Sequence, residues 1–527
     1  MKRLILFLTI LASCTVTFGQ AGVFDPNDPI VNYNAASPPP NPTLSRITKW
    51  VRTPRVNWDA SQFKSYIFQG VQFRVMFPKT YQHNVSDGKV YPATVFLHGL
   101  GERGSAFDNE YQLLHGGQTF RDRVNNGTYD GFLIYPQFGA NNSGWGSTHF
   151  ATLARIIDSM AKYVKVDVDR VMIHGLSIGG QGTWKFIEEY PRVFAGAQPI
   201  SGASLGYIPG IPKYLEIPIR LYTGDKDNNP TPGTSVALVD SFRNRGGSIV
   251  HTRYPTQGHG CWNTAWAEAA WVPFMNNIHK ANPIVYFGRS EFCPGDPVNT
   301  TLALTAGFSA YEWEKDGVVI PGATSNKLVV TTYGTYRARF RRTATGNWSA
   351  WSPTPVVVRI KPTTLTTPIQ IQGMFSNVLP ASDGKTTVPL SVAGDYTGYE
   401  WRRVSDNAIV STAKVFEAPA GTYRLRVTEL YGCSSEYSAD YTVVNANGVS
   451  GLPDAAGGLL ALGASKTTMQ VDWSDNPTPA NNETGFEVYR STTAGGPYTL
   501  IGKTAADQVS FLDQGLNPNT SYYYIVR

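Results

Sequence analysis

The stretch RVMIHGLSIGGQGTW, Arg170 to Trp184, decides how this chain is read. Val171, Met172 and Ile173 form an apolar run suited to a buried strand. Gly175, Gly179 and Gly180 mark a tight turn, and GGQGTWKFIEEY has helical apolar spacing that Pro191 would stop. Strand, sharp turn and helix together predict one unit of an α/β sheet. The turn carries G-x-S-x-G around Ser177, but the pattern occurs again at Gly202-Ala203-Ser204-Leu205-Gly206. In a chain with 51 glycines among 527 residues a chance match is unremarkable, so context has to choose between them.

The same alternation continues on both sides of this stretch. YIFQGVQFRVMFP predicts a hairpin, and YPATVFLHG a buried strand ending in glycine. GFLIYPQ is another strand, and HFATLARIIDSMAKYV a helix. FAGAQPISG, IPIRLYTGD and SIVHTRYP supply further strands. Alternation sustained over residues 59–282 predicts an α/β domain with a mainly parallel sheet. Before it, residues 21–58 are rich in Pro and Asn, as in ASPPPNPT, and read as an irregular lead-in with no packed core of its own.

Beyond Pro283 the helical signal stops. Ala310–Arg342 and Gly398–Glu429 each contain an aromatic-Glu-Trp strand, a polar stretch and then GTYR. Trp313 precedes Gly334 by 21 residues, and Trp401 precedes Gly421 by 20. This repeat predicts tandem all-β sandwich modules with a buried tryptophan, at 283–360 and 361–445, with a third β segment at 452–527.

A hydrophobic fraction of 42% and a charged fraction of 16% are ordinary for globular domains. The net charge of +6 is spread thinly, which argues against a nucleic-acid partner. MKRLILFLTILASCTVTFGQ reads as a secretory signal peptide at 1–20, too short for a membrane span. LASC ending at Cys14 is the alternative, a lipoprotein box with an acylated cysteine. The expectation is therefore a secreted or cell-surface protein without a membrane span. If Cys14 leaves with the signal, Cys261, Cys293 and Cys433 remain. This odd number in three separate segments gives no internal disulfide from sequence alone.

The two serines differ in setting. A nucleophile elbow needs a strand before the serine, small neighbours around it and a helix after it. Ser177 meets all three demands. Ser204 follows a strand but precedes YIPGIPKY, where Pro209 and Pro212 oppose a helix, so it reads as turn chemistry. Partners should follow in the order serine, acid, histidine, each after a later strand. IPIRLYTGDKDNNP offers Asp225 and Asp227, with Asp227 preferred, and YPTQGHGCW offers His259. The gaps, 50 residues from Ser177 to Asp227 and 32 from Asp227 to His259, each leave room for one α/β unit. His259 would take the serine proton, and Asp227 would orient the imidazole. The developing oxyanion would be met by the Ile178 backbone N–H and by Leu100, in the His98-Gly99-Leu100-Gly101 loop after YPATVFL. His174 and His98 read as residues that pack or hydrogen-bond beneath the site rather than react. The scattered histidines and the absence of C-x-x-C or a phosphate-binding loop predict neither metal nor cofactor.

FLHGLGERGSAFDN, YPQ followed by GW, HGLSIGGQGTW, GDKDNNP and GHGCW, in that order, resemble α/β-hydrolases of the polyhydroxybutyrate depolymerase and feruloyl or acetylxylan esterase type. The likeness covers residues 59–282. It implies an α/β-hydrolase catalytic domain in which the family's nucleophile falls on Ser177, its histidine on His259 and its acid on Asp227. Tyr222-Thr223 depart from the family's residues before the acid loop and leave that acid open. Glu102 and Arg103 fall on the family's GERG, which implies a brace for the oxyanion loop. The repeats resemble Ig-like modules of secreted Bacteroidetes proteins, in which an early C-x-G-D cysteine pairs with a late G-C-S cysteine. Here FCPGDP supplies only the early half in the first module and YGCSSEYS only the late half in the second, so the resemblance implies that neither bridge forms. The segment 452–527 resembles fibronectin type III. One further strand would be needed after YYYIVR, so the expectation is a fragment whose missing C-terminal region would attach it to the cell surface.

The resemblance implies a secreted serine carboxylic-ester hydrolase without cofactors. Its expected substrates are feruloyl or acetyl esters of plant cell-wall polysaccharide, with Trp145 and Trp262 as candidate substrate contacts and Trp184 as core. The alternatives are a polyhydroxyalkanoate depolymerase, a prolyl-oligopeptidase-like peptidase, and a non-enzymatic glycan-binding adhesion protein.

Overall fold

In the computed structural model, which describes residues 22–40, 45–139, 142–361, 369–372, 377–379, 386–429, 432–445, 456–475 and 483–527, the apolar runs form one large sheet. The expected signal peptide and Cys14 lie outside these residues. Among the described residues the sheet has nine strands: β1 (Thr48–Lys49), β2 (Lys64–Phe68), β3 (Val71–Met76), β4 (Tyr91–Leu97), β5 (Phe132–Gln137), β6 (Val166–Leu176), β7 (Gly196–Ile200), β8 (Ile219–Gly224) and β9 (Ile249–Tyr254). Their spatial order is β1-β2-β3-β5-β4-β6-β7-β8-β9. The pairs from β5 through β9 are parallel, while β1, β2 and β3 add an antiparallel edge. The mainly parallel sheet is as expected.

Such a sheet must be covered on both faces, which is why β3, β4 and β5 are buried at every position. Helices α1 (Gly117–Asn125), α2 (Ser147–Tyr163), α3 (Ile178–Glu189), α4 (Pro232–Arg243), α5 (Trp262–Ala267) and α6 (Trp271–Asn277) flank it. Two clusters fill the faces, one around Phe73, Val95, Phe150, Trp184 and Phe186, the other around Phe96, Phe120, Met172 and Trp271. Trp184 is core, as expected. The parallel arrangement matters for function because the loops leaving β4, β6, β8 and β9 emerge at one edge, the carboxyl ends of the strands.

The segment before Asp59 does more than lead in. Phe24 and Ile47 join the larger cluster, Trp50 and Val51 pack with Ile67, and Thr48 and Lys49 pair with Ile67 and Tyr66. Its apolar residues lack periodicity, so the packing shows only once the sheet edge is present.

The chain divides into two units, Met1–Glu291 with Pro297–Arg359, and Phe292–Asp296 with Ile360–Arg527. In the first unit, strands Ala310–Lys315 and Gly334–Arg341 pair antiparallel, and Trp313 is fully buried with its indole N–H on the Ser325 carbonyl at 2.8 Å. Arg342 ties this β region to the α/β sheet, donating to the Val168 carbonyl at 3.0 Å and to Asp169. In the second unit Gly398–Arg403 pairs with Gly421–Thr428, and Trp401 repeats the role of Trp313, donating to Ala413 at 3.0 Å. A further pair of three-stranded sheets between Gly457 and Val526 encloses Trp473 and Phe486. No helix among the described residues is long and apolar enough to cross a membrane.

The sequence leaves the pairing of the cysteines open, and the structure resolves it. Cys293 and Cys433 form a disulfide, with Cα atoms 5.2 Å apart across 140 residues of sequence. The early half-motif of one repeat pairs with the late half-motif of the next. Both cysteines belong to the second unit, and the bridge anchors its outlying segment Phe292–Asp296.

Candidate active site

Ser177 stands at the carboxyl end of β6, between the strand and α3, with φ +56° and ψ −121°. A non-glycine residue holds such angles only when its surroundings impose them. Here the Ser177 N–H donates to the Ile200 carbonyl of β7 at 2.9 Å. A Cβ on Gly179 would lie 1.9 Å from the Leu97 carbonyl oxygen, so the start of α3 packs directly on β4. The second G-x-S-x-G serves this packing. A Cβ on Gly202 would lie 2.3 Å from the Gly180 carbonyl carbon, and Ser204 caps a 3-10 helix by accepting the Gly206 N–H at 3.2 Å. The turn reading of Ser204 is what the structure contains.

His259 Nε2 lies 2.8 Å from Ser177 Oγ, and His259 Nδ1 lies 2.8 Å from Asp227 Oδ2. The structure thus brings together the three residues expected to form a triad. The Asp227 side chain is 2% exposed and that of His259 40%. The acid is sealed while the imidazole faces solvent, where a substrate can reach it. Asp227 also accepts the Asn229 N–H at 2.8 Å, which fixes the carboxylate. Asp225 takes a different role, pairing with Arg253 at 2.8 Å on the surface. Lys226 N–H donates to the Gln257 carbonyl and Asp225 N–H to that of Tyr254, zipping the acid loop that carries both carboxylates against the histidine loop.

Ser201, which the sequence reading did not single out, sits at φ +49° and donates to the His259 carbonyl at 2.7 Å. Its only sequence signal was its place after β7, beside the second glycine motif. Cys261 is buried against it, and burial raises its thiol above the ordinary value.

The expected oxyanion donors lie on two helix starts. Ile178 is the first residue of α3, and Leu100 the first of the 3-10 turn Leu100–Glu102, so neither N–H has an acceptor within its own helix. The two loops meet closely, since a Cβ on Gly99 would lie 3.7 Å from Ser177 Cβ. Glu102 is buried beneath the loop, accepting the Gly99 N–H at 2.5 Å, and desolvation raises its carboxyl to about 8. Arg103 donates to the Leu100 carbonyl at 2.9 Å and to Asn142 at 3.2 Å.

The two candidate substrate tryptophans separate. Trp262 is half-buried, 6.3 Å from the His259 ring and nearly perpendicular to it, with the His115 ring 5.2 Å away. Trp145 is a correction. It is 2% exposed, packed on α3 where a Cβ at Gly182 would meet it at 2.8 Å, and cannot contact substrate. His174 is fully buried among Phe96, Phe120 and Trp271, and burial holds its imidazole well below the ordinary value. Among the described residues the one cluster with metal-binding spacing is Asp475, Glu483 and Asp507, remote in sequence from the triad.

No family model matches the chain. Over 124 residues, 21% of this chain, it is 27% identical to poly(3-hydroxyalkanoate) depolymerase C of Paucimonas lemoignei. Among solved structures it is similar to a thermostable esterase (27% identity, 41% of this chain, 63% of that one, TM-score 0.36). It is also similar to a ferulic acid esterase (18%, 39% and 91%, TM-score 0.30) and to Est1E from Butyrivibrio proteoclasticus (13%, 41% and 96%, TM-score 0.30). The chain spans 28% of the depolymerase and 63% of the thermostable esterase, less than two thirds of either. The resemblance to α/β-hydrolase esterases therefore stands on the strand-elbow-helix and its neighbours, and on this partial match in sequence.

Proposed function

We propose that this chain is a secreted serine carboxylic-ester hydrolase that removes feruloyl or acetyl groups from plant cell-wall polysaccharide. The observation that carries the reaction class is the continuous hydrogen-bonded line from Ser177 Oγ through His259 to the sealed Asp227. Ser177 attacks the ester carbonyl while His259 Nε2 accepts its proton, and the buried Asp227 carboxylate stabilises the imidazolium. The Ile178 and Leu100 N–H groups receive the charge that develops on the carbonyl oxygen. His259 then protonates the departing alcohol, and a water activated by the same imidazole releases the acid from the acyl-enzyme. Solvent-facing His259 and the half-buried Trp262 beside it fit a ring-bearing substrate approaching from outside. The polysaccharide half of the reading rests on the β modules, which fit Ig-like and fibronectin type III domains of extracellular polymer-active proteins.

The match to a polyhydroxyalkanoate depolymerase favours a second reading, in which the ester is the backbone of a polyester. One experiment separates the two. The protein is incubated with destarched arabinoxylan and, in parallel, with polyhydroxybutyrate film, using Ser177→Ala as control, and released acids are identified by chromatography. Ferulate or acetate from the wild type alone supports the first reading, and hydroxybutyrate alone the second. Equal release by both proteins removes Ser177 from the chemistry.

A further inference from the structure

The hydrogen bonds behind the loop His98–Glu102 carry an inference that rests on the hydrolase reading. The Trp145 indole N–H donates to the His98 carbonyl at 3.1 Å. The His98 ring is fully buried and stacked on Phe138, with centroids 4.7 Å apart and planes 10° apart. The Phe138 N–H donates to Nε2 at 3.4 Å, which makes Nε2 the acceptor and leaves the proton on Nδ1. Nδ1 lies 2.7 Å from the Gly99 carbonyl. That carbonyl also accepts the Glu102 N–H at 3.4 Å, and the Glu102 carboxyl takes the Gly99 N–H.

In the peptides His98–Gly99 and Gly99–Leu100, three of the four polar groups therefore have partners. Of these four, the Leu100 N–H is the one for which the described residues offer no partner. In a trans peptide the carbonyl and the N–H point in opposite directions. Tying the Gly99 carbonyl back onto His98 thus turns the Leu100 N–H away from the interior, on a loop already beside Ser177. Desolvation pulls His98 down to about 4, so its ring stays neutral and keeps this tautomer at neutral pH.

We infer that Trp145 and His98 are positioning residues for the reaction: through two successive hydrogen bonds they aim the Leu100 N–H at the oxygen that gains charge. Trp145 rests on α3 at Gly182, and α3 begins with Ile178, the other donor. Both donors are thereby referenced to one helix. This preorganisation lowers the barrier without contributing to binding of the uncharged ester.

The test is Trp145→Phe, which removes only the indole N–H and part of the ring, together with His98→Leu and His98→Asn. The asparagine amide can place an N–H near the Nδ1 position, whereas leucine has no donor. Steady-state hydrolysis of 4-nitrophenyl acetate is measured alongside affinity for a phenylboronic acid, a tetrahedral mimic, with folding checked by circular dichroism. Loss of one oxyanion donor costs about 10²–10³ in kcat. A misaimed donor should therefore cost Trp145→Phe about tenfold and His98→Leu about 10²-fold in kcat. KM should stay within about twofold, boronate affinity should fall in parallel, and His98→Asn should recover most of the loss. Folded Trp145→Phe with wild-type kcat, or a loss confined to KM, overturns the inference. Should either replacement fail to fold, the other decides. If asparagine at position 98 is no better than leucine, the donor role falls. A wild type inactive on esters, or a fully active Ser177→Ala, removes the hydrolase reading and this inference with it. An inert Ser177→Ala beside an unimpaired Trp145→Phe removes this inference alone.

Discussion

Asp225 and Asp227 lie two residues apart on one loop, yet one is a surface ion pair and the other is sealed behind His259. Replacing each by Asn converts that geometry into numbers. In Asp227→Asn the residue facing Nδ1 at 2.8 Å loses its charge. Across about 4 Å, at an effective permittivity of about 20, a carboxylate and an imidazolium attract by about 4 kcal/mol. At 1.36 kcal/mol per decade this is a loss of about 10³ in kcat. An amide that donates to Nδ1 would also place the proton on Nε2, where it blocks acceptance from Ser177, and the loss then approaches 10⁴. Because His259 is 40% exposed, solvent screening keeps the outcome nearer 10³. Asp225→Asn removes only a surface pair with Arg253 and should leave kcat within about twofold. Initial rates with 4-nitrophenyl acetate at pH 7.5 suffice for both. Comparable losses in the two variants, or the larger loss at Asp225, would refute the assignment of the acid.

Three further outcomes are expected. Gly179→Ala should destabilise by about 3 kcal/mol or more, since its Cβ would sit 1.9 Å from the Leu97 oxygen, whereas Gly206→Ala, with 3.4 Å to Ser204 Oγ, should shift stability by less than about 0.5 kcal/mol; urea unfolding compares them. Glu102 titrates near 8 when folded and near its ordinary value when unfolded, so the stability it contributes is present below about 4.5 and lost as pH rises through 8. Glu102→Gln cannot titrate, and its Tm should gain on that of the wild type between pH 5 and pH 8.5 in calorimetric scans. Removing both Cys293 and Cys433 opens a loop of 140 residues, a loss of up to about 5 kcal/mol by chain entropy, seen as a lowered transition for the second unit with esterase activity retained.

The parts of this site that the sequence made legible are those governed by local pattern and chain order. Ser177 was readable because a strand, small residues and a helix adjoin it, and because the loops after parallel strands must emerge at one edge, Asp227 and His259 had one place to go. Asp225 stayed open, since the choice depends on Arg253 and on the zipper between two loops. Trp145 was misread because its burial is decided by Gly182, 37 residues later, whose missing side chain makes room for the indole. The Cys293–Cys433 bridge was likewise unreadable, because each cysteine completes a motif begun in the other repeat and no spacing rule connects them. The packing of Phe24 and Trp50 escaped notice because Pro-rich segments show no period even when their apolar residues are buried.

If Ser177 is the nucleophile, a covalent label aimed at activated serines will find it. The protein is treated with a fluorophosphonate, digested, and the modified peptide identified by mass spectrometry. The expected result is a single adduct on Ser177, formed at least about 10³-fold more slowly in His259→Ala and absent in Ser177→Ala. An adduct on Ser204 or another serine, with Ser177 unmodified while esterase activity is lost, would contradict it.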